Sequence, residues 1–192
     1  MFPSLSEYWR RPPPGYRPGA TLLKVMQDLQ CLRAEALEGA VMRFSSDDGG
    51  LVFEVREVVQ AQFLMHLVLT EFVLQVPSTG AGQVRIELSH CGAVRRQGIA
   101  CKVRVGDSQA LSGLLARLRG DPALLAALMP LDFKRLLIER EGRQWTVRLE
   151  HIGASEVVNR MPGFRRYIRL VPEQRQCLLQ ALHAFKDVLG KS

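Results

Sequence analysis

Gln83-Val-Arg-Ile-Glu-Leu-Ser-His90-Cys-Gly92-Ala93 returns 61 positions later as Gln144-Trp-Thr-Val-Arg-Leu-Glu-His151-Ile-Gly153-Ala154. Glu71-Phe72 falls on Asp132-Phe133 at the same offset. Each copy alternates apolar and polar residues, the pattern of a half-buried antiparallel strand, and then reaches His-x-Gly-Ala. A shared offset over several separated matches reads as an internal duplication. The rest of the chain is interpreted around it.

Working outward, each copy predicts two strands before a charged loop, a third strand after it, and then a helix. In the first copy the third strand is Ile99–Val105, with Cys101, Val103 and Val105 inward and Lys102 and Arg104 outward. Asp107 or Ser108 is placed to cap a helix over Gln109–Leu118. Asp121-Pro122 opens a short helix, with Asp121 at the N-cap and Pro122 at the first helical position. The second copy predicts strands at Phe133–Ile138 and Trp145–Leu149, a loop from Ser155 to Gly163, a strand over Phe164–Leu170 and a helix opening at Pro172. Leu114, Leu115 and Leu118 of the first copy match Leu178, Leu179 and Leu182 of the second.

Ahead of the first copy, apolar residues from Leu22 to Leu37 recur at helical spacing and predict a helix over Thr21–Leu37, stopped by Gly39. Asp47-Asp48-Gly49-Gly50 between two apolar runs predicts a hairpin, with Leu51, Phe53 and Val55 on its buried face. Phe63–Val76 is apolar on both faces, which suits one long central strand or two strands with a bend near Thr70. Pro12-Pro13-Pro14 excludes a helix from the first 20 residues and makes 1–20 a proline-rich arm. The expectation is an α+β fold. Residues 21–192 form a single domain of two pseudo-repeats, about 21–120 and 121–192. Duplicated β-β-β-α units make one curved, mainly antiparallel sheet with helices packed on one face.

Composition narrows the function. With 47% hydrophobic and 23% charged residues the chain is of ordinary globular character. The net charge is +7, and 21 of the 26 basic residues are arginines, so acidic partners including nucleic acid are admitted. Arg and Glu alternate along the strands instead of forming one basic block, which weakens that inference. Cys31, Cys91, Cys101 and Cys177 form no C-x-x-C pair, so a zinc ribbon and a thioredoxin-type motif are excluded. The apolar neighbours of Cys31, Cys91 and Cys177 predict buried, reduced thiols and hence a reducing, cytoplasmic setting of bacterial type. The N-terminus lacks the apolar run of a secretory signal, and the longest apolar stretch is too polar to span a bilayer.

His90 and His151 are the first candidate site residues, because a twofold relation between the copies would make them equivalent. Such a pair can serve as ligand-binding groups, a metal site or an acid–base couple. The alternative reading is structural, each imidazole donating to a nearby carbonyl at a strand end. Trp145 and Tyr167 are candidates for lining an apolar ligand pocket with Phe63, Met65 and Leu67. Arg95, Arg96, Arg165 and Arg166 fall in corresponding segments and are candidate anion-binding residues. No P-loop, G-x-S-x-G, H-E-x-x-H or G-x-G-x-x-G occurs. The sequence therefore favours a binding or interaction module over an enzyme, for an unknown small molecule or protein, with no cofactor and no metal. A nucleic-acid-binding protein using the paired arginines is the alternative, and an enzyme using the two histidines comes third. An exposed edge strand or the proline-rich arm is a candidate route to a homodimer.

Overall fold

The computed structural model describes residues 15–61, 65–92, 96–160 and 163–191. The Pro12–Pro14 arm with Tyr8 and Trp9, Phe63 and Arg95 lie outside those residues. The fold is α+β, dominated by antiparallel strands. In chain order the described elements are α1 (Ala20–Asp28), β1 (Arg33–Leu37), β2 (Val41–Ser45), β3 (Val52–Ala61), β4 (Met65–Pro77), β5 (Val84–Cys91), β6 (Gly98–Val105), α2 (Ser112–Gly120), α3 (Pro122–Leu128), β7 (Phe133–Glu141), β8 (Gln144–Arg160), β9 (Gly163–Ile168) and α4 (Pro172–Gly190). Strands are ordered β1-β2-β3-β4-β8-β7-β5-β6, with β9 paired to β8.

The chain divides into two compact units. One comprises 1–71 and 151–171, the other 72–150 and 172–192. In the first unit, β2 and β3 form the hairpin that Asp47–Gly50 predicts, with Phe44 opposite Phe53. Their rings stack at 5.6 Å, and both are buried beside Met42, Leu51 and Val55. Gly49 has φ 66°, the left-handed conformation this tight turn needs.

The predicted long first helix is a correction. It stops at Asp28, and Arg33–Leu37 is a strand paired with β2 from Arg33↔Ser45 to Leu37↔Val41. Gly39 accordingly turns a hairpin at φ 72° rather than ending a helix. Apolar spacing across Leu29–Leu37 fits either period over so few residues, and pairing with β2 decides in favour of strand. The N-cap of α1 is Gly19, at φ 84° and without a side chain to offer. Glu57 of β3 supplies the cap instead. Its carboxylate accepts from the N–H groups of Gly19 (3.0 Å), Thr21 (2.9 Å) and Leu22 (3.3 Å), and from the Tyr16 hydroxyl (2.5 Å). A negative charge there also opposes the positive end of the helix dipole.

In the second unit, β5 lies between β6 and β7, with Ile86 opposite Val103 on one side and Ile138 on the other. α3 begins as expected, Asp121 Oδ1 accepting from Leu124 N–H at 2.8 Å with Pro122 in the first turn. α4 opens at Pro172 and buries Leu178, Leu182, Phe185 and Leu189, and α3 packs against it. α2 starts at Ser112, three residues later than expected. Asp107 instead caps a turn, accepting from Gln109 N–H at 2.9 Å. Val105, predicted inward, is 41% exposed at the end of β6.

β8 overturns the predicted loop at Ser155–Gly163. The strand runs on to Arg160, and residues 155–160 pair with 163–168 of β9. The two His-x-Gly-Ala stretches differ accordingly. β5 ends one residue past His90, whereas β8 continues nine residues past His151. Ala154 has φ 68° at zero exposure, a conformation that L side chains seldom adopt. The irregularity is held by Ser155 Oγ, which donates to His151 O (2.6 Å) and accepts from Thr70 N–H (3.1 Å).

Candidate functional site

His90 and His151 fall in different units, and each donates to a backbone carbonyl of its own unit. His90 Nε2 reaches Leu128 O at 3.0 Å, with the ring stacked on Phe133 at 4.3 Å. His151, fully buried, bonds through Nδ1 to Gly153 O at 3.0 Å. The Ser155 hydroxyl points its proton at a carbonyl, so the neighbouring imidazole does not activate it as a nucleophile. Among the described residues no three His, Cys, Asp or Glu side chains group as metal ligands.

Trp145 is fully buried in the second unit, with the Arg140 guanidinium 5.0 Å from its ring centroid. Arg96 is engaged by the chain: Nη1 donates to Met129 O (2.7 Å) and Leu131 O (3.1 Å), and Nη2 pairs with Asp132. It thereby serves the carbonyls at the end of α3. Arg165 donates to Gly15 O (3.3 Å) and lies 3.6 Å from Glu156, while Arg166 is exposed on β9. Of the predicted set, Tyr167, Arg165, Arg166 and His151 share the first unit, and His90, Trp145 and Arg96 the second.

Tyr167 leads to a cluster that sequence reasoning missed. Its hydroxyl donates to Asp28 Oδ2 at 2.7 Å, and the same oxygen accepts from Leu170 N–H at 2.9 Å. Arg169 Nε stands 3.5 Å from Asp28 Oδ1. One turn back on α1, Lys24 Nζ meets Glu156 of β8 at 2.9 Å and lies 5.3 Å from the Tyr167 ring centroid. Asp28 and Glu156 are 6% and 5% exposed, so two buried carboxylates are matched by Lys24, Arg165 and Arg169. Burial, reinforced by the bond to Asp28, pushes the Tyr167 phenol well above its ordinary range and keeps it protonated. Nothing local in the sequence marks Asp28, since the apolar spacing carries the predicted helix on to Leu37 and leaves this acid in mid-helix.

A groove of about 450 Å³ runs between the start of α1 and the β1–β2 hairpin. Its walls include Leu22, Leu23, Leu37, Val41 and Met42, and Arg17 is its charged lining residue. Leu23 is 55% and Met26 38% exposed, so α1 presents apolar side chains to solvent as well as to the core. A second hollow of about 450 Å³ in the other unit is lined by Arg117, Asp121, Lys191, Pro122 and Val188 among others, mixing both signs of charge. The cysteines are all unbridged, and Cys31, expected to be buried, is exposed, because the chain past Asp28 leaves the helix. Burial raises the Cys101 thiol pKa. No described helix is long and apolar enough to cross a membrane.

Searches of curated proteins and of solved structures find no match. Residues 27–189 match the family described as protein of unknown function (DUF3156), and the chain belongs to that family.

Proposed function

We propose that this protein is a binding module whose first unit takes a small amphipathic ligand, an aliphatic chain ending in a carboxylate. The groove beside α1 carries the reading. Its volume of about 450 Å³ suits a small molecule, its walls are largely aliphatic, and the Arg17 guanidinium offers one bidentate partner for an anionic end. The hollow in the second unit has charges of both signs in its walls and is less suited to an aliphatic chain. A carrier or sensor role follows more readily than catalysis, since the histidines and Ser155 are bonded to the backbone. The paired-arginine reading loses support because Arg96 and Arg165 already bind carbonyls and carboxylates of the chain. Free thiols suit a reducing, cytoplasmic compartment.

The test compares dodecanoate with dodecanol by calorimetry. The acid is expected to bind more tightly than the alcohol, Arg17→Ala to erase that difference, and Leu23→Asp to weaken both. Equal affinity for acid and alcohol in the unmodified protein, or binding of both that Leu23→Asp leaves unchanged, would overturn the assignment.

A further inference from the structure

Among the described residues β1 pairs only with β2 and stands at one end of the strand order, so its outer edge presents N–H and C=O groups to solvent. We propose that this edge pairs with β1 of a second copy, antiparallel and centred on Ala34, to give a twofold homodimer. The pairing rests on the edge strand and not on what fills the groove, although the apolar surface beside the seam shares Leu23, Ala36 and Leu37 with the groove walls.

Charge selects both the partner and the register. Antiparallel pairing places residues directly opposite one another on the same face of the sheet. Centring on Ala34 sets Arg33 against Glu35 of the second copy, and Glu35 against its Arg33, giving two opposite-charge pairs from one self-complementary Arg-Ala-Glu stretch. Centring on Glu35 would set the two glutamates against each other. Moving the centre by half a residue would turn the alanine face toward the charged face. The charges are free to change partners: Arg33 and Glu35 are 74% and 68% exposed, and their present pairs with Asp47 (3.0 Å) and Arg43 (3.7 Å) are solvated and weak.

On the opposite face, Ala34 and Ala36 sit across from Phe44 and Met42, on the core side of the hairpin, yet both are exposed. These two short side chains form an apolar floor that α1 does not cover. Leu23 borders Ala36 and Leu37 across the groove, and Met26 follows one turn along α1. A twofold axis normal to the sheet puts the corresponding surfaces of both copies on one side of the seam. Centred on Ala34, the two β1 strands overlap over Arg33–Glu35 alone, which would make a small interface, and this apolar surface is what enlarges it. The other end of the strand order is protected against the same association. β6 exposes Lys102 and Arg104, which would meet like charges in a self-pair centred on Val103.

Sedimentation equilibrium and thiol cross-linking on the full chain test the proposal. The unmodified protein is expected to be a dimer. Arg33→Glu and Glu35→Arg should each weaken it about tenfold or more, since two attractive cross-strand pairs become repulsive, and the double exchange should restore it. In a Cys31→Ser background, Ala34→Cys should form a disulfide-linked dimer under mild oxidation, because position 34 meets itself across the axis. Ala36→Cys, whose two copies lie several residues apart along the seam, should cross-link poorly. A monomer at every concentration, a dimer indifferent to both charge reversals, or equal cross-linking at 34 and 36 would overturn the assignment.

Discussion

α1 and α4 are both amphipathic helices, and they are held in different ways. α4 has 19 residues and buries Leu178, Ala181, Leu182, Phe185, Val188 and Leu189 along one stripe. α1 has nine residues and hydrophobic burial only at Leu22 and Val25, with Leu29 just past its end. A helix of two or three turns is marginal in water, and three apolar side chains do little to fix it. Polar bonds make up the difference. Glu57 caps its N-terminus, Lys24 reaches Glu156, and Asp28 ties its last turn to Tyr167 and Leu170. Apolar contact is indifferent to direction, whereas each of these bonds fixes an angle and a distance, so the short helix is located at least as closely as the long one.

Substitutions in the two helices and in the α1 cap, with one surface ion pair for scale, test that contrast. The largest expected effect is Phe185→Ala in α4. The ring is fully buried, and its loss should cost about 3–5 kcal/mol in urea unfolding followed by Trp145 fluorescence in a Trp9→Phe background. Asp28→Ala should come close, at roughly 3 kcal/mol by circular dichroism, because it strands a half-buried phenol and a buried N–H together. A loss below about 1 kcal/mol would mean that α1 is held by its few apolar contacts after all. Glu57→Ala should cost about 1–2 kcal/mol, the range of a lost helix cap, with Glu57→Gln keeping part of it. The smallest effect belongs to Arg104→Ala. Its pair with Glu87 is 44% and 38% exposed, and the expected change is under about 1 kcal/mol and fades with salt.

Alkaline pH offers a reversible form of the same test. Tyr16 and Tyr167 both keep their protons beyond the usual phenol value of 10.0, chiefly through burial and then through donation to Glu57 and Asp28. The unfolded chain releases these protons near 10, while the folded chain retains them. Their contribution is therefore fully present below pH 10 and declines as the pH rises beyond it. Melting temperature should fall more steeply above pH 10 in the unmodified protein than in Tyr16→Phe/Tyr167→Phe. Parallel curves would remove the phenols from the account of α1.

The parts of the fold legible in the sequence are those decided by neighbours in the chain. Asp47–Gly50 announced its hairpin, Asp121-Pro122 its helix, and the leucines after Pro172 their stripe. The parts that were not legible depend on distant partners. Arg33–Leu37 is a strand because β2 pairs with it, and Ser155–Arg160 is a strand because β9 does. The candidate site divides in the same way. Tyr167 was expected to line an apolar pocket and Arg165 to bind an anion, but Tyr167 bonds Asp28, 139 positions away, and Arg165 shares Glu156 with Lys24, 132 positions from it, so neither α1 partner carried a local mark. The groove escaped notice because its Arg17 lay in a stretch read as an arm and its far wall in a stretch read as helix.

The anchoring of α1 also has a consequence in time. Thr21 finds Glu57 after 36 further residues, but Lys24 must wait 132 for Glu156, and Asp28 must wait 139 for Tyr167. Loop closure over such spans is slow, and synthesis on the ribosome is slower still. The first of the described helices to be made is therefore among the last to settle. Through most of translation Leu22, Val25 and Leu29 remain uncovered, and substitutions in α1 should speed unfolding while leaving the folding rate nearly unchanged.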